Sequence, residues 1–373
     1  MKFTIKKDIL LENLNNVSHA ISTKNVIPVL SGIKFDLTKE GLSLTASDNE
    51  IDINVFIDKK YIDKIDKTGS IVIQGKFLLD IVRKLSEEEL NIEVVDGLKI
   101  VLYNKNSTYT LNGIDPDEFP NLNIEKSNKP IVLDKKTIKT MVNQTIYATS
   151  TQESRPILTG LNFKIDNDEL ECIATDSYRL AKKKVKLSKA VENPINIVIP
   201  GKNIGELVKI INDEEDSVNI HIFTNKVLFE FDNIIFQSRL LNDVFPNINR
   251  LIPTEFKFII KANLNDLFNV VDRASLLTSE KEKNVIKFET DGNILTVLSN
   301  TPEIGGGEEK LAISKDNNED IKIAFSAKHM MDALRTINSK DVRLLLNSEI
   351  SPIILNTDDS DDLLQLLMPI KTY

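Results

Sequence analysis

The sequence of 373 residues repeats one pattern three times at a spacing of about 126 residues, and this repeat constrains the fold more than any other feature. In each copy, a lysine (Lys76, Lys202 or Lys328) precedes apolar residues spaced i, i+3, i+4 and i+7. Such a stripe is typical of the buried face of a helix. The unit is much longer than the roughly 20–50 residues of a solenoid repeat. The pattern therefore predicts three copies of one whole domain.

Shorter landmarks support the same period. Phe119-Pro120-Asn121-Leu122 returns 126 residues later as Phe245-Pro246-Asn247-Ile248, and Ala46-Ser47-Asp48 returns 128 residues later as Ala174-Thr175-Asp176. A polar run at 125–130 and the Pro253-Thr254 step are typical of linkers. The predicted domains are therefore residues 1–127, 128–253 and 254–373.

Each copy contains two similar halves, in which one helix is followed by several strands. The predicted helices are 6–21, 76–86, 134–149, 202–211, 263–274 and 328–337. In the first copy, alternating apolar residues predict strands at 32–37, 42–46, 90–94 and 98–102. Asp96-Gly97 and Asp291-Gly292 are strong hairpin signals. The predicted fold class is α+β, with antiparallel sheets and two helices per domain packed on one side.

Composition limits the class of protein. Hydrophobic residues make up 41% and charged residues 28%, as in an ordinary soluble globular protein. No stretch approaches the roughly 20 apolar residues of a membrane helix, and the first residues lack the apolar core of a signal peptide. Cys172 is the single cysteine, which excludes an internal disulfide. We therefore expect a cytoplasmic protein.

The sequence offers little that could carry catalysis. His19, His221 and His329 are scattered and lack metal-ligand spacing. The glycine cluster 305–307 is followed by two glutamates instead of a phosphate-binding lysine, and we predict a flexible loop there. The acidic run 358–362 lacks the frame of an EF-hand and is predicted to be a solvated loop. Cys172 is predicted to be a core residue. We therefore expect no catalytic residue, no metal and no cofactor.

Positive charge is concentrated on the predicted helices. The chain has a net charge of −9, yet the six predicted helices together carry +5. A surface lined in this way would attract phosphates without reading bases. The alternative interpretation is that these are ordinary solvated helix faces. With no tryptophan and only 6 tyrosines, single-strand binding through base stacking is disfavoured.

Over its whole length the sequence resembles the bacterial DNA polymerase III beta subunit, the sliding clamp family. The residues that carry the resemblance are 1–4, 27–30, 174–180, 245–247 and 367–370. The resemblance implies the DNA clamp fold, with three similar domains per subunit and a head-to-tail homodimer closed into a ring. Twelve helices spaced about 9–10 Å apart would leave a hole of roughly 25–28 Å, which accommodates duplex DNA.

The resemblance also implies a hydrophobic groove between domains two and three that captures short peptides of polymerases and the clamp loader. Matching positions here are Leu158, Thr175, Ser177, Tyr178, Arg179, Leu180, Pro246, Arg250, Leu251, Leu366, Leu367, Met368, Pro369 and Ile370. We expect Arg179 and Arg250 to form a polar rim that orients the peptide. The alternative for the leucines is ordinary core packing. Ser177 stands where many members have glycine, and Lys371 where arginine is frequent.

For DNA contact, the resemblance points to Lys24, Lys76, Arg83, Gln152, Arg155 and Lys202. Pro156 and Ile157 replace the aromatic residues that other members carry after Arg155. For ring closure it points to Leu276 and Leu277.

Three hypotheses of function follow from the sequence. The leading one is a processivity clamp that encircles duplex DNA and has no catalysis of its own. The second is a three-domain interaction scaffold that uses the same groove without DNA. The third is an enzyme with an unrecognised site, which the motif search disfavours.

Overall fold

The computed structural model describes residues 1–21, 27–212, 216–279, 284–302, 305–359 and 361–371. Its α-helices are α1 (Lys7–Ser18), α2 (Gly75–Lys84), α3 (Lys135–Asn143), α4 (Gly201–Ile210), α5 (Leu264–Ser275) and α6 (Ala327–Leu334). None of the helices in these ranges is both long enough and apolar enough to span a membrane.

The strands follow the halves of the repeat. In the first repeat they are β1 (Lys2–Lys6), β2 (Gly32–Leu37), β3 (Gly41–Ser47), β4 (Ile51–Asp58), β5 (Ile62–Lys67), β6 (Gly69–Gln74), β7 (Glu89–Val95), β8 (Lys99–Tyr103) and β9 (Thr108–Asn112). In the second they are β10 (Ile131–Asp134), β11 (Gly160–Asp166), β12 (Glu169–Thr175), β13 (Arg179–Lys186), β14 (Ile195–Pro200), β15 (Ser217–Ile222), β16 (Lys226–Phe231) and β17 (Ile234–Arg239). In the third they are β18 (Phe258–Asn263), β19 (Val285–Asp291), β20 (Ile294–Thr301), β21 (Gly305–Ala312), β22 (Ser314–Lys315), β23 (Lys322–Ser326), β24 (Asp341–Leu346), β25 (Ile353–Asn356) and β26 (Leu363–Leu367).

These elements form two compact units. The first contains Met1–Lys135 and Glu206–Leu240, and the second contains Lys136–Gly205 and Leu241–Tyr373. The first unit has sheets of order β5-β1-β7-β8-β9 and β10-β15-β16-β17-β4-β3-β2-β6, and the second has β14-β11-β12-β13-β26-β25-β24-β18-β22 and β21-β20-β19-β23. The antiparallel pairing agrees with the predicted fold class.

Two sheets run across the predicted domain boundaries, which explains why the units differ from the repeats. In the first unit β17 pairs with β4, and Ser238 is opposite Ile51. In the second unit β26 pairs with β13, and Leu367 is opposite Arg179. In both pairs, one strand is the third after the helix in the first half of a repeat. Its partner is the third strand after the helix in the second half of the next repeat. This pattern leaves β9 and β21 at sheet edges, without a partner strand in the described ranges.

The local predictions of helices and turns are largely confirmed. Leu78 and Val82 of α2 are fully buried, as are Met330 and Ala333 of α6, so the repeated stripe is the core face. The hairpin of β7 and β8 turns at Asp96-Gly97, where φ is positive at both residues, 47° and 80°, and Val95 pairs with Lys99 across the turn. Cys172 is fully buried in β12, and burial raises the pKa of its thiol to about 12, which confirms the core prediction.

The helix predicted at 134–149 is shorter than expected and ends at Asn143. The buried Thr145 hydroxyl donates a hydrogen bond of 2.8 Å to the carbonyl of Met141, and a short 3₁₀ turn follows at Ile146–Ala148. A threonine that bonds back to the preceding turn in this way competes with helix continuation.

Of the two segments predicted to be loops, the glycine cluster is more structured than expected, whereas the described part of the acidic run is an exposed loop. Glycines 305–307 begin strand β21 instead of a flexible loop, and a Cβ on Gly307 would lie 3.0 Å from Leu277 Cδ1. In the acidic segment, Asp358 accepts a hydrogen bond of 2.7 Å from Lys261, and Lys261 lowers the pKa of this carboxyl. Ser360 of that segment lies outside the described residues.

Candidate functional site

The turn between β12 and β13 in the second unit contains four predicted groove residues, Thr175 and 177–179. The backbone N–H groups of Tyr178 and Arg179 each donate to Asp176 Oδ1 over 2.9 Å, and that of Ser177 donates to Thr175 Oγ1 over 3.1 Å. Ser177 has a φ of 78°, in the left-handed region that favours glycine. This backbone gives the physical reason why glycine suits the position.

The first unit repeats this turn with different side chains. Asn49 has a φ of 73°, and the N–H groups of Glu50 and Ile51 donate to Asp48 Oδ1 over 2.9 and 2.8 Å. The turn is therefore a property of the repeat. Glu50 and Ile51 replace the tyrosine and arginine of the second unit, so the candidate groove chemistry belongs to the second unit.

The predicted groove residues divide into a buried floor and an exposed surface. Leu158, Leu180 and Leu366 are at most 2% exposed and pack in one cluster with Phe245 and Ile248. The side chains of these three leucines are therefore packed in the core, as the alternative interpretation predicts. Leu367 is likewise buried, but in the neighbouring core cluster.

Apolar side chains are exposed next to this floor. Tyr178 and Leu251 are 60% and 51% exposed, and Pro246, Met368, Pro369 and Ile370 are half-buried. Sequence reasoning missed Val244, which is 83% exposed immediately before the buried Phe245. The signal in the sequence that could have identified Val244 is its apolar side chain between Asp243 and the repeated Phe-Pro pair. These residues can offer an apolar surface to a partner.

The last described residues are held beside this surface by backbone bonds. The N–H of Met368 donates to the carbonyl of Tyr178 over 2.8 Å, and that of Ile370 donates to Ala324 over 2.7 Å. Lys371 follows and is exposed. Met368 is thereby fixed next to the turn that carries Ser177.

The two arginines expected at the rim differ in environment. Arg250 is exposed, whereas the Arg179 side chain is only 11% exposed. Arg179 Nε donates to Asp176 Oδ2 over 3.0 Å and Nη1 donates to Asp332 Oδ2 over 2.7 Å, while the guanidinium lies 5.2 Å from the centre of the Tyr147 ring. Arg179 is therefore built into the wall, and Arg250 remains the candidate rim cation.

Burial dominates the titration of the groups around Arg179. It raises the pKa of Tyr147, whose hydroxyl is buried. Burial, together with the positive charge of Arg179, lowers the pKa of His329. Both effects favour neutral side chains beside the paired arginine.

The residues expected to contact DNA are mostly on exposed positions. In the first unit, Lys76 and Arg83 are exposed on α2, and their spacing of seven residues places them on one helix face. In the second unit, Lys202 is exposed on α4, and Gln152 and Arg155 are in an exposed segment. Lys24 lies outside the described residues.

Arg155 also belongs to the surroundings of the groove. Its Nη1 donates a hydrogen bond of 3.2 Å to Ser177 Oγ. The exposed Pro156 and buried Ile157 follow it and begin a 3₁₀ turn. The structure thus brings one predicted DNA residue into contact with a predicted groove residue.

Leu276 and Leu277, the residues expected at the dimer interface, follow helix α5. Leu276 is 74% exposed, and Leu277 is half-buried with its carbonyl accepting a 2.6 Å bond from Thr301 Oγ1. Arg273 of α5 donates two hydrogen bonds, of 3.0 and 2.7 Å, to Glu309 of β21. An exposed leucine therefore lies close to the strand whose outer edge is unpaired.

Three family models cover almost the whole chain. The DNA polymerase III beta subunit N-terminal domain matches residues 1–123, the central domain matches 132–247 and the C-terminal domain matches 249–371.

Relatives of known identity agree with these matches over their full length. The chain is 39% identical to the beta sliding clamp of Staphylococcus epidermidis over 377 residues and 38% identical to that of Bacillus subtilis over 378, with 100% of each chain covered. The crystal structure of the DNA polymerase sliding clamp from Bacillus subtilis superposes with a TM-score of 0.96 at 38% identity, again over 100% of both chains. That of the DNA polymerase III beta chain from Streptococcus pneumoniae gives 0.95 at 35% with the same coverage. The chain belongs to the DNA polymerase III beta subunit family, the bacterial sliding clamps.

Proposed function

We propose that this protein is a DNA sliding clamp: a ring-shaped processivity factor that encircles duplex DNA and has no catalysis of its own. The ring is a head-to-tail homodimer, and each chain contributes three domains, 1–127, 128–253 and 254–373. The protein acts in the bacterial cytoplasm, where the chromosome lies. Its partners are duplex DNA and the DNA polymerases that the names of its relatives mention.

The strand pairing between repeats carries this proposal. Repeats one and two join through β4 and β17, and repeats two and three join through β13 and β26. The same rule applied once more pairs β21 of one chain with β9 of a second chain. The two strands differ, so the contact is heterologous, and two copies close into a ring when the rotation allows. Closure pairs the free edges of β9 and β21.

The charge of the helices supports the DNA partner. In the described ranges the six helices hold eleven basic and seven acidic residues, a net charge of +4 in a chain of −9. Phosphate contacts of this kind are independent of base sequence and weaken with salt. A closed ring stays on DNA by topology, so each contact can be weak.

The exposed apolar surface of the second unit supports peptide capture. Tyr178, Val244 and Leu251 are exposed, the half-buried Met368 bonds Tyr178 through its backbone, and Arg250 supplies an exposed cation. Exposed apolar groups rimmed by charge are typical of peptide-binding sites. We infer that polymerases and the clamp loader bind here through short linear segments.

Retention on circular and linear DNA tests the proposal. The protein is loaded onto nicked circular DNA with a clamp loader and ATP, and half of the sample is then linearised. Retention on circles with loss from linear ends is the expected result, because only a topological link depends on free ends. Equal retention on both forms would overturn the ring. Peptide binding with no retention on either form, when the loader is demonstrably active, would favour the interaction scaffold.

A further inference from the structure

The first unit contains a second candidate binding site, which is lined by none of the residues assigned to the groove. A cleft of about 680 Å³ opens between the start of α1, the end of β4, the 3₁₀ turn Lys59–Tyr61 and the β16–β17 hairpin. Phe56 and Tyr61 line it and are 40% and 51% exposed, which is unusual for aromatic residues in a protein of ordinary composition.

The aromatic wall of the cleft is fixed in position. Phe56 lies directly over Gly41, where an added Cβ would approach the ring Cζ to 2.8 Å. The Phe56 N–H donates to the Asn233 carbonyl over 2.9 Å, and the Asn233 side chain bonds Asn13 Oδ1 over 2.8 Å. The Phe56 ring is therefore presented by paired strands and an amide pair, not by a loose loop.

The charges in this cleft favour a cationic ligand. Lys60 Nζ lies 4.9 Å from the centre of the Tyr61 ring, so this ring already accepts a cation from the chain itself. Glu12 is exposed and Asp58 is half-buried, and neither carboxylate has a cation partner among the residues that the structure describes. An aromatic wall beside two uncompensated carboxylates is complementary to lysine or arginine next to an apolar side chain.

The repeat supplies a natural comparison. At an offset of 128 residues, Phe56 corresponds to Lys184, Asp58 to Lys186 and Glu12 to Thr140, and these three residues line a cleft of about 570 Å³ in the second unit. The backbone frame is shared, but the aromatic and acidic groups are replaced by lysines and a threonine. The chemistry of the first cleft is thus not a consequence of the fold.

We propose that the cleft at Phe56, Tyr61, Glu12 and Asp58 is a docking site for a short linear peptide of a partner protein, in which an apolar side chain is flanked by lysine or arginine. The apolar side chain packs on Phe56 and Tyr61, and the flanking cations pair with Glu12 and Asp58. This site is additional to the proposed groove, and its existence does not depend on DNA binding.

The test is titration of the full chain with a fluorescein-labelled hexapeptide, a central leucine–phenylalanine pair flanked by two lysines on each side. Fluorescence anisotropy is measured at physiological ionic strength, where the Debye length of about 8 Å suppresses attraction to the distant net charge. Phe56→Ala and Asp58→Lys, the latter copying Lys186 of the other cleft, should each weaken binding by about ten-fold, equivalent to about 1.4 kcal/mol. The same peptide with glutamates in place of lysines should not bind.

Matched controls separate this site from general attraction and from the groove. Asp166→Lys makes the same charge change at the exposed end of β11. It should change the affinity for the peptide by less than about two-fold, because salt screens solvent-exposed charges outside the cleft. Tyr178→Ala, in the groove, should also leave it unchanged. Absence of binding, equal affinity of the wild type and Phe56→Ala, or loss of binding in Tyr178→Ala would each overturn the proposal. Phe56→Ala and Asp58→Lys should leave retention on circular DNA unchanged, so the two proposals fail separately.

Discussion

Arg179 donates a hydrogen bond of 2.7 Å from Nη1 to Oδ2 of Asp332, and this bond ties the start of β13 to helix α6. The same guanidinium bonds Asp176, which accepts the backbone N–H groups of the turn at Ser177. The geometry of the turn beside the candidate groove therefore depends on a carboxylate 153 residues away along the chain.

Removing that carboxylate should weaken both the fold and the groove. Asp332→Ala leaves a largely buried guanidinium without one of its two partners, and we expect the free energy of unfolding to fall by about 1–3 kcal/mol. Urea unfolding followed by circular dichroism measures this loss. Arg335→Ala is the control, since its 3.6 Å pair with Asp332 is exposed and should contribute less than about 1 kcal/mol. Equal loss in both variants would contradict the assignment.

The left-handed backbone of Ser177 predicts opposite effects of two substitutions. Ser177→Gly removes the steric cost of a Cβ at φ 78° and should stabilise the protein by up to about 1 kcal/mol. Ser177→Val should destabilise it by about 1–2 kcal/mol, because a β-branched residue tolerates this region poorly. The urea midpoints of the two variants check the order. Both variants lose the bond from Arg155, so that bond cannot explain a difference between them.

The heterologous pairing of β21 with β9 predicts a rescue that a symmetric interface cannot show. Leu276→Ala with Leu277→Ala damages the β21 end of the contact, and Tyr109→Asp damages the β9 end. Light scattering at low concentration should find monomers for either variant alone. A mixture of the two should recover dimers, because one of the two contacts then joins undamaged ends.

Two further observations make this assembly test decisive. Ile350→Ala, which removes an equally exposed apolar residue elsewhere, should leave the dimer intact. Persistence of the dimer in the doubly substituted leucine variant would argue against the proposed interface. Absence of rescue in the mixture would argue against the head-to-tail arrangement.

The Glu206 carboxylate should contribute a pH-dependent part of stability. Burial would raise the pKa of Glu206, but hydrogen bonds from Lys209 and His19 (2.8 Å each) outweigh it and hold the pKa below the ordinary 4.5. Because the folded pKa is depressed, this stabilisation is complete above pH 4.5 and is lost as the pH falls through the folded pKa. Glu206→Gln should therefore lower the urea midpoint at pH 7 and make it less sensitive to acid below pH 4.5. The exposed Glu12→Gln is the matched control, and identical acid profiles for both variants would contradict the prediction.

Local patterns allowed much of the fold to be predicted, since they depend on residues close in sequence. The stripe of α2 shows its buried face directly, and Asp96-Gly97 specifies its own turn. The early end of α3 was not predictable, because the apolar pattern continues past Asn143 while the buried Thr145 hydroxyl turns back onto Met141. The strand at glycines 305–307 was missed for a similar reason: its pairing with Thr301 and its contact with Leu277 are made by other segments.

The sequence predicts candidate site residues but not the environment of each side chain. The repeated landmarks and the family resemblance brought Tyr178, Arg250 and Met368 together, and the structure gathers them in the second unit. The pairing of Arg179 with Asp332, the exposure of Val244 and the contact of Arg155 with Ser177 depend on distant segments. A single sequence carries no local mark of which way these side chains turn.

In the proposed ring, the edge strands β9 and β21 also decide the fate of a protomer that has lost its partner. A free strand edge is a template for any extended segment, and β9 and β21 would each offer one. Neither strand contains a proline, and Tyr109 adds an exposed aromatic ring to one of them. For the proposed ring, subunit exchange in a crowded cell would then compete with aggregation of free protomers. Closure of that ring would protect the protein itself before it serves any DNA.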